Sequence, residues 1–385
     1  MVVARAIRRA AQWARFGLVL CQGVGTHWRR SDQSLASLPR RIAEQRRLLL
    51  GNGIGAEEYY DYGLHRPDLP WERKRTFIGS VEQWRWQSLF NPPAYRFFTE
   101  DKVVFKRYMH SAGIPVARLL GTLGPAGRAE TGEPLQTERA VRAWFEAGKV
   151  EQVVVKPLLG SRGTGVLILG ERIPGELQWR HVPSGSIDFA GVWGHLHGFP
   201  HRPDFLVEER LRPHPDLAAF SPEVVHSARV VTMLEDDVDV IAAAIRIGAG
   251  RSAVDNFSQG NLAAPIDLGT GRLGSAVFSR HKSLVRLDRH PATGAPIAGR
   301  ILPDWEGTLA ILRAAARAVP FNRLLGWDLA FSSRGPVVIE ANDLWDPDVS
   351  QIAPDRGLLE TTLLGHLERR DALGLIGLGW RPSRP

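Results

Sequence analysis

The chain has 385 residues, 44% of them apolar and 23% charged, enough to bury a large core in two or three lobes. A single cysteine, Cys21, excludes an intramolecular disulfide framework and any cysteine-based zinc site, so a reducing compartment is expected and any metal must be held by oxygen or histidine. The formal charge is +8, but only six of the 49 basic residues are lysines; that skew reads as base composition, and without an RNP, helix-turn-helix or zinc-finger signature no nucleic-acid partner is expected.

Arg5, Arg8, Arg9, Arg15, Arg29, Arg30 and His27 precede the first acid, Asp32. Ile7, Ala11, Ala14 and Leu18 share one helical face, with Arg5, Arg8 and Arg15 largely off it. The pattern suits a membrane-surface helix, a targeting peptide or a basic helix packed on its own protein. The apolar stretch from Phe16 to Cys21 is too short to span a bilayer, and nothing later reaches ~18 apolar residues. The expected location is therefore the cytoplasm, with this helix offering peripheral contact at the inner membrane face. A second helix is expected near 33 to 50, followed by the loop GNGIGAEEYYDYGLHRP, and residues 1–98 read as a basic, helical accessory region.

Thr99 is placed to cap a helix from about 100 to 111, which Gly113 ends. Strands are expected at 116–122 and 151–156, with a helix around 137–148 between them. The second strand runs into VVVKPLLGSRGTGV, residues 153–166, and VLILG on its far side is another strand. Residues 171–204 are polar with Pro and Gly, and the histidines of GHLHGFPH, at 195, 197 and 201, are read as surface residues in a loop rather than as a metal site. FLVEERL reads as a buried strand, and ARVVTML with VDVIAAAIRI as a hairpin around Glu235, Asp236 and Asp237. GAGRSAVDNFSQGNLAAPID reads as a mobile loop. A helix from about Asp304 to Ala318, the strand pair LLGWDLAFS and GPVVIEAN, and a last amphipathic helix near 355–370 complete the chain.

Three glycines within GSRGTG point to backbone shaped around phosphate. A Walker loop would end in Gly-Lys-Ser/Thr and open a helix, and a dinucleotide fingerprint also opens a helix; neither pattern is present. In protein kinases the lysine follows the flap, whereas Lys156 precedes it. A strand-loop-strand flap with inward amides fits the residues.

From about residue 99 to 352 the sequence resembles the ATP-grasp superfamily. VVVKPLLGSRGTGV looks like that family's lysine strand and phosphate flap, FLVEERL like its adenine-binding hinge, and WDLAFSSRGPVVIEAN like its metal-binding strand pair. ARVVTML, AIRIG and DNFSQGN make it most like the sugar-transfer-associated ATP-grasp group, related to alpha-L-glutamate ligase-like proteins. The resemblance implies an α+β ATP-grasp fold, two α+β lobes enclosing ATP, with an N-terminal helical extension. The corresponding domains are 1–98, the accessory region; 99–205, the first lobe with its flap; 206–370, the second lobe with the metal site; and 371–385, a tail.

The same resemblance implies ATP and Mg²⁺ as cofactors. Lys156 and Lys102, with Lys106 as the fallback, would meet phosphates, and Gly160, Ser161, Gly163 and Gly165 would form the flap. Glu208 or Glu209 with Leu211 would hold the adenine, and Asp216 the ribose hydroxyls. Glu340 and Asn342, two apart on a strand, project to one face, and Asp328 on the neighbouring antiparallel strand can face them. Two carboxylates and an amide oxygen suit Mg²⁺.

Amino-acid ligases of this family often carry an arginine two positions before the metal aspartate, where this chain has Gly326. Arg229 and Arg246 are the replacements expected to meet transition-state charge, and Asn256 and Asn261 are expected to add phosphate, metal or substrate contacts. The implied activity is ligation of a carboxylate and an amine through an acylphosphate, in polysaccharide or sugar-conjugate synthesis. The implied partners are a small-molecule or sugar-linked carboxylate and an amine acceptor. Two rival readings stand beside it: transfer of the γ-phosphate to a hydroxyl, and a nucleotide-binding, membrane-associated scaffold.

Overall fold

Six segments form one antiparallel sheet: β1 (Leu119–Leu123), β2 (Val153–Pro157), β3 (Leu167–Arg172), β4 (Gln178–His181), β5 (Ser186–Asp188) and β6 (Phe205–Glu209), in the order β1-β6-β2-β3-β4-β5. The computed structural model describes residues 37–147, 152–160, 163–182, 185–199, 204–249, 261–280 and 283–377. The basic stretch before Asp32, Ser161, His201 and Asn256 lie outside the described residues.

Side-chain alternation decides how this sheet packs. Val153, Val155, Leu167, Leu169, Phe205 and Val207 enter a core with Phe145 and Val192. Phe145 lies on helix α1 (Glu138–Glu146), whose first turn is capped by the Thr137 hydroxyl, and Val192 lies on α2 (Phe189–His197), capped by the Asp188 carboxylate. The intervening residues Val154, Lys156, Ile168 and Glu208 face the other way, into a cleft.

The polar stretch 171–204 thus contains two strands and a helix. Amphipathic alternation over four residues was too short to reveal β4 and β5, and His195 and His197 lie on α2 rather than in a loop. Strand β6 sits between β1 and β2, so the expected domain boundary between 205 and 206 falls inside a strand of the first sheet.

The second sheet has seven antiparallel strands: β7 (Ser227–Leu234), β8 (Val238–Ile247), β9 (Leu262–Pro265), β10 (Ala276–Arg280), β11 (Ser283–Leu287), β12 (Leu324–Ser332) and β13 (Gly335–Asn342), ordered β11-β10-β9-β8-β7-β12-β13. Strand β9 occupies the end of the stretch read as a mobile loop. Helix α3 (Trp305–Ala318) begins at Asp304, as expected, and buries Leu309, Leu312, Ala315 and Ala316 against the sheet.

Residues 48–90 pack on the same sheet: Tyr59, Tyr60, Tyr62 and Phe77 meet Ala244, Ala263 and Val277, while Ile78, Trp86 and Phe90 meet Val231, Met233 and Leu324. Residues 48–90 are therefore part of the second lobe's core, not an appendage.

Three local expectations are corrected. The helix α4 (Lys102–Ser111) is capped by Asp101, whose carboxylate accepts the Val103 and Val104 amides at 2.9 and 3.0 Å. Thr99 instead donates its hydroxyl proton to Arg96 O and Asp343 Oδ1. The last amphipathic helix is broken into a 3₁₀ turn at Leu358–Glu360 and α5 (Leu363–Arg369), and the tail beyond 370 begins with Ala372 and Ile376 buried in the core.

Asn91 is a buried link between the N-terminal region and the strand pair β12-β13. Its Nδ2 donates to Leu324 O at 2.6 Å and Asp343 O at 2.7 Å, and its Oδ1 accepts the Leu324 amide at 3.0 Å. Asn91→Leu strands these groups without water and should cost about 3 kcal/mol. Urea denaturation measures this; an unchanged midpoint would refute the link.

Candidate active site

Both sheets present polar side chains to one cleft of about 880 Å³, large enough for a nucleotide and a second small molecule. On the first sheet, Lys156 follows three valines and turns its ammonium inward, 2.7 Å from Glu208 Oε1. Lys106, 2% exposed, reaches Glu208 Oε2 at 2.6 Å from helix α4. Burial alone would raise the Glu208 carboxyl, but the Lys106 and Lys156 ammoniums outweigh it and hold it down at about 2. Burial lowers the Lys106 ammonium, and Glu208 partly offsets that.

Lys102, one turn before Lys106, donates to Gly160 O at 2.8 Å and so touches the flap; burial lowers its ammonium as well, with Glu340 acting against the shift. In the flap, Gly163 and Gly165 have φ of 70° and 76°, a region that only glycine enters freely. His195 Nε2 hydrogen-bonds Gly165 O at 3.0 Å. Its ring also packs near Phe199 and Phe205, so His195 anchors the flap and is not a plain surface residue, while His197 lies over Trp193.

The paired acids of FLVEERL separate. Glu208 faces the lysines, whereas Glu209 Oε1 accepts Arg334 Nη2 at 2.5 Å and the Arg118 amide at 2.8 Å. Leu211 lines the cleft. Asp216 does not: it lies on the turn Pro215–Leu217 with an exposed side chain, 3.7 Å from His214 Nδ1.

On the second sheet, register places Asp328 opposite Glu340 on one side and Arg229 on the other, and Gly326 opposite Asn342. Arg229 Nε is 2.6 Å from Asp328 Oδ1, and Arg246 Nη2 is 2.8 Å from Oδ2. The Ser227 hydroxyl accepts a second bond from Arg246 at 2.7 Å. Burial would raise Asp328, but the two guanidiniums hold it well below the usual carboxylate range. Glu340 is pushed up by burial and then by the facing Asp328. Asn342 Nδ2 donates to Gly326 O at 3.3 Å, which leaves its Oδ1 as a free acceptor direction. Asn261 is buried and accepts the Ala249 amide at 2.8 Å, away from the cleft lining.

Two sets of lining residues had no sequence signal. Glu57, Glu58 and Asp61 come from the short helix Ala56–Asp61, and Asp346 and Asp348 from the run after VVIEAN. The Gly-rich context of EEYYD read as loop, so its acids stood outside every motif. Burial raises Glu58, although the Gly55 and Ser80 amides donate to it at 2.7 and 2.8 Å.

Comparison with known proteins follows the geometry. A family model described as sugar-transfer associated ATP-grasp matches residues 82–366. No curated protein matches. Among solved structures, VanG D-Ala:D-Ser ligase from Enterococcus faecalis is 13% identical, with 69% of this chain and 61% of that chain covered and a TM-score of 0.38. D-alanine-D-alanine ligase from Coxiella burnetii is 11% identical, with 77% and 70% covered and a TM-score of 0.39. Biotin carboxylase from Campylobacter jejuni, in a beta-gamma-ATP complex, is 12% identical, with 81% and 51% covered and a TM-score of 0.39. The chain spans less than two thirds of the first and third of these proteins.

Glu208→Gln removes the anion shared by two buried ammoniums and should cost about 3–5 kcal/mol at neutral pH. The sign follows from a depressed carboxylate: the stability is present above the unfolded value of 4.5 and lost as pH falls towards the folded value of about 2. The gap between parent and variant in urea should therefore shrink at acid pH; a constant gap contradicts the pairing. At Gly326 a Cβ would lie 2.6 Å from Trp345 Cβ. Gly326→Arg should lower stability by about 1–3 kcal/mol. A variant that melts like the parent would remove this steric explanation.

Proposed function

The chain belongs to the sugar-transfer-associated ATP-grasp family, and on that premise we propose that it is an ATP- and Mg²⁺-dependent ligase joining a carboxylate to an amine through an acylphosphate. The observation that carries the reading is one cleft holding Lys102, Lys106 and Lys156 on one wall and Asp328, Glu340 and Asn342 on the other.

The donor set fits a hard divalent cation: Glu340 is a half-buried carboxylate with no ion pair among the described residues, Asn342 turns its amide nitrogen away, and Asp328 faces Glu340 across the strand pair. When bound there, Mg²⁺ would neutralise charge developing between the β- and γ-phosphates. Lys156 and Lys102, with the flap amides around Gly163 and Gly165, would bind the phosphates of ATP. Residues 209–211 with the apolar Val154 and Ile168 would take the base. Both Glu208 oxygens pair with ammoniums, which supports a positioning role toward Lys156 in place of adenine binding.

A substrate carboxylate oxygen attacks the γ-phosphorus, the bond to the β-phosphate oxygen breaks and ADP leaves. The amine nitrogen then attacks the acyl carbon, inorganic phosphate departs and the nitrogen loses a proton. Arg229 and Arg246, aligned by Asp328, would supply guanidinium charge to the acylphosphate oxygens. The carboxylates at 57, 58, 61, 346 and 348 favour a cationic amine in the same cleft. The family description supports a sugar-linked substrate in polysaccharide or sugar-conjugate synthesis.

ADP release screened against amino acids and sugar acids tests the proposal. ADP with free phosphate is expected, and ADP with a phosphorylated acceptor would replace ligation by phosphotransfer. Glu340→Gln should slow ADP release about a hundredfold; release at the parent rate would falsify the metal assignment.

A further inference from the structure

Exposed apolar side chains gather on one short segment, LFNPPAYRF. Leu89, Tyr95 and Phe97 are 45%, 42% and 51% exposed, and Pro92, Pro93 and Ala94 between them are exposed too. Single exposed apolar residues are ordinary; a contiguous group on a rigid support marks a contact surface. The support here is firm. Tyr95 stacks on Phe321 with centroids 4.8 Å apart, and Phe97 lies 4.4 Å from Phe98. The Arg323 amide donates to Phe90 O at 3.1 Å, and Asn322 Nδ2 donates to Tyr95 O.

Two cations border the group. Arg323 is exposed beside Phe90, and the exposed Arg370 guanidinium lies 6.0 Å from the Phe90 ring centroid. Neither forms an ion pair among the described residues. Of the acids nearby in sequence, Glu100 is taken by Arg96 at 3.9 Å, and Asp371 follows Arg370. Among the described residues no helix is long and apolar enough to cross a membrane, so any lipid contact by this surface is peripheral.

We propose that this surface docks the protein on an anionic lipid surface. Leu89, Pro92, Pro93, Tyr95 and Phe97 enter the headgroup boundary, and Arg323 and Arg370 sit at the level of the lipid phosphates. Apolar and aromatic side chains flanked by unpaired arginines match that boundary, where a ring finds both hydrocarbon and water.

The surface is also tied to the cleft. Asn91 Nδ2 donates to Asp343 O and Arg96 Nε to Asp343 Oδ2, at 2.7 and 2.9 Å, and Asp343 follows Asn342 in the chain. Docking therefore fixes the cleft relative to the bilayer. This inference stands independently of the ligase reading.

The test is sedimentation of the full-length protein with vesicles of phosphatidylcholine alone and of phosphatidylcholine with phosphatidylglycerol. Capture by the anionic vesicles only is expected, weakened about tenfold in Tyr95→Ser/Phe97→Ser and about tenfold in Arg323→Glu/Arg370→Glu, with both variants melting as the parent does. Parent-like capture of both variants overturns the proposal, and so does equal capture by the two vesicle types or capture by neither. A dimer that Tyr95→Ser/Phe97→Ser dissociates, with no vesicle capture, would reassign the surface to self-association. ADP release without vesicles should be unchanged in both variants, which separates this outcome from failure of the ligase reading.

Discussion

Each sheet buries one carboxylate that is shared by two cations. Glu208 lies between Lys106 and Lys156, and Asp328 between Arg229 and Arg246. Neither carboxylate can neutralise both partners, so each cluster carries an excess of positive charge in a poorly solvated cleft. Burying such charge is costly unless every group is held in place; here strands hold all of them except Lys106, which helix α4 presents. Strand β6 is flanked by β1 and β2, and β12 by β7 and β13. The fold therefore arranges in advance a site suited to a polyanion, which is how fixed charges act on a reaction without reorganising during it.

The carboxylate of Asp328 stands between charged neighbours on both sides of its strand. Its contacts align Arg229 and Arg246, while its register faces Glu340. Each carboxylate oxygen has more than one acceptor direction, so one arginine on each does not exhaust Asp328. Gly326 belongs to the same solution. Trp345 packs directly over it, so a side chain at this position would meet the indole, and the cations beside Asp328 come from the neighbouring strands β7 and β8 instead.

The parts of the site legible in the sequence were those where one strand carries its own logic. Lys156 after three valines, the glycines with positive φ, and Glu340 with Asn342 two residues apart each follow from local alternation or backbone sterics. What could not be read depends on tertiary placement. Which of Glu208 and Glu209 turns inward is decided by the β2-β6 register and by Arg334 from a distant hairpin. Thr99 and Asp101 are both good caps, and Asp343, which takes the Thr99 hydroxyl, lies over two hundred residues away. Glu57, Glu58 and Asp61 belong to a six-residue helix whose existence rests on the packing of Tyr59 and Tyr60, not on intrinsic helix strength.

The ties between the N-terminal region and the end of the chain also impose an order on folding. Gln351 accepts the Ile78 amide and donates to Ile78 O across 273 residues, and Arg66 pairs with Asp355. At ribosomal rates that separation corresponds to roughly 14 to 55 s of synthesis. During that interval Phe77 lacks Val349 and Ile352, and Ile78 and Trp86 lack Leu324 and Trp345, which join them in the core. The region made first is thus among the last to reach its native contacts, and its apolar faces are the ones a nascent-chain chaperone would meet.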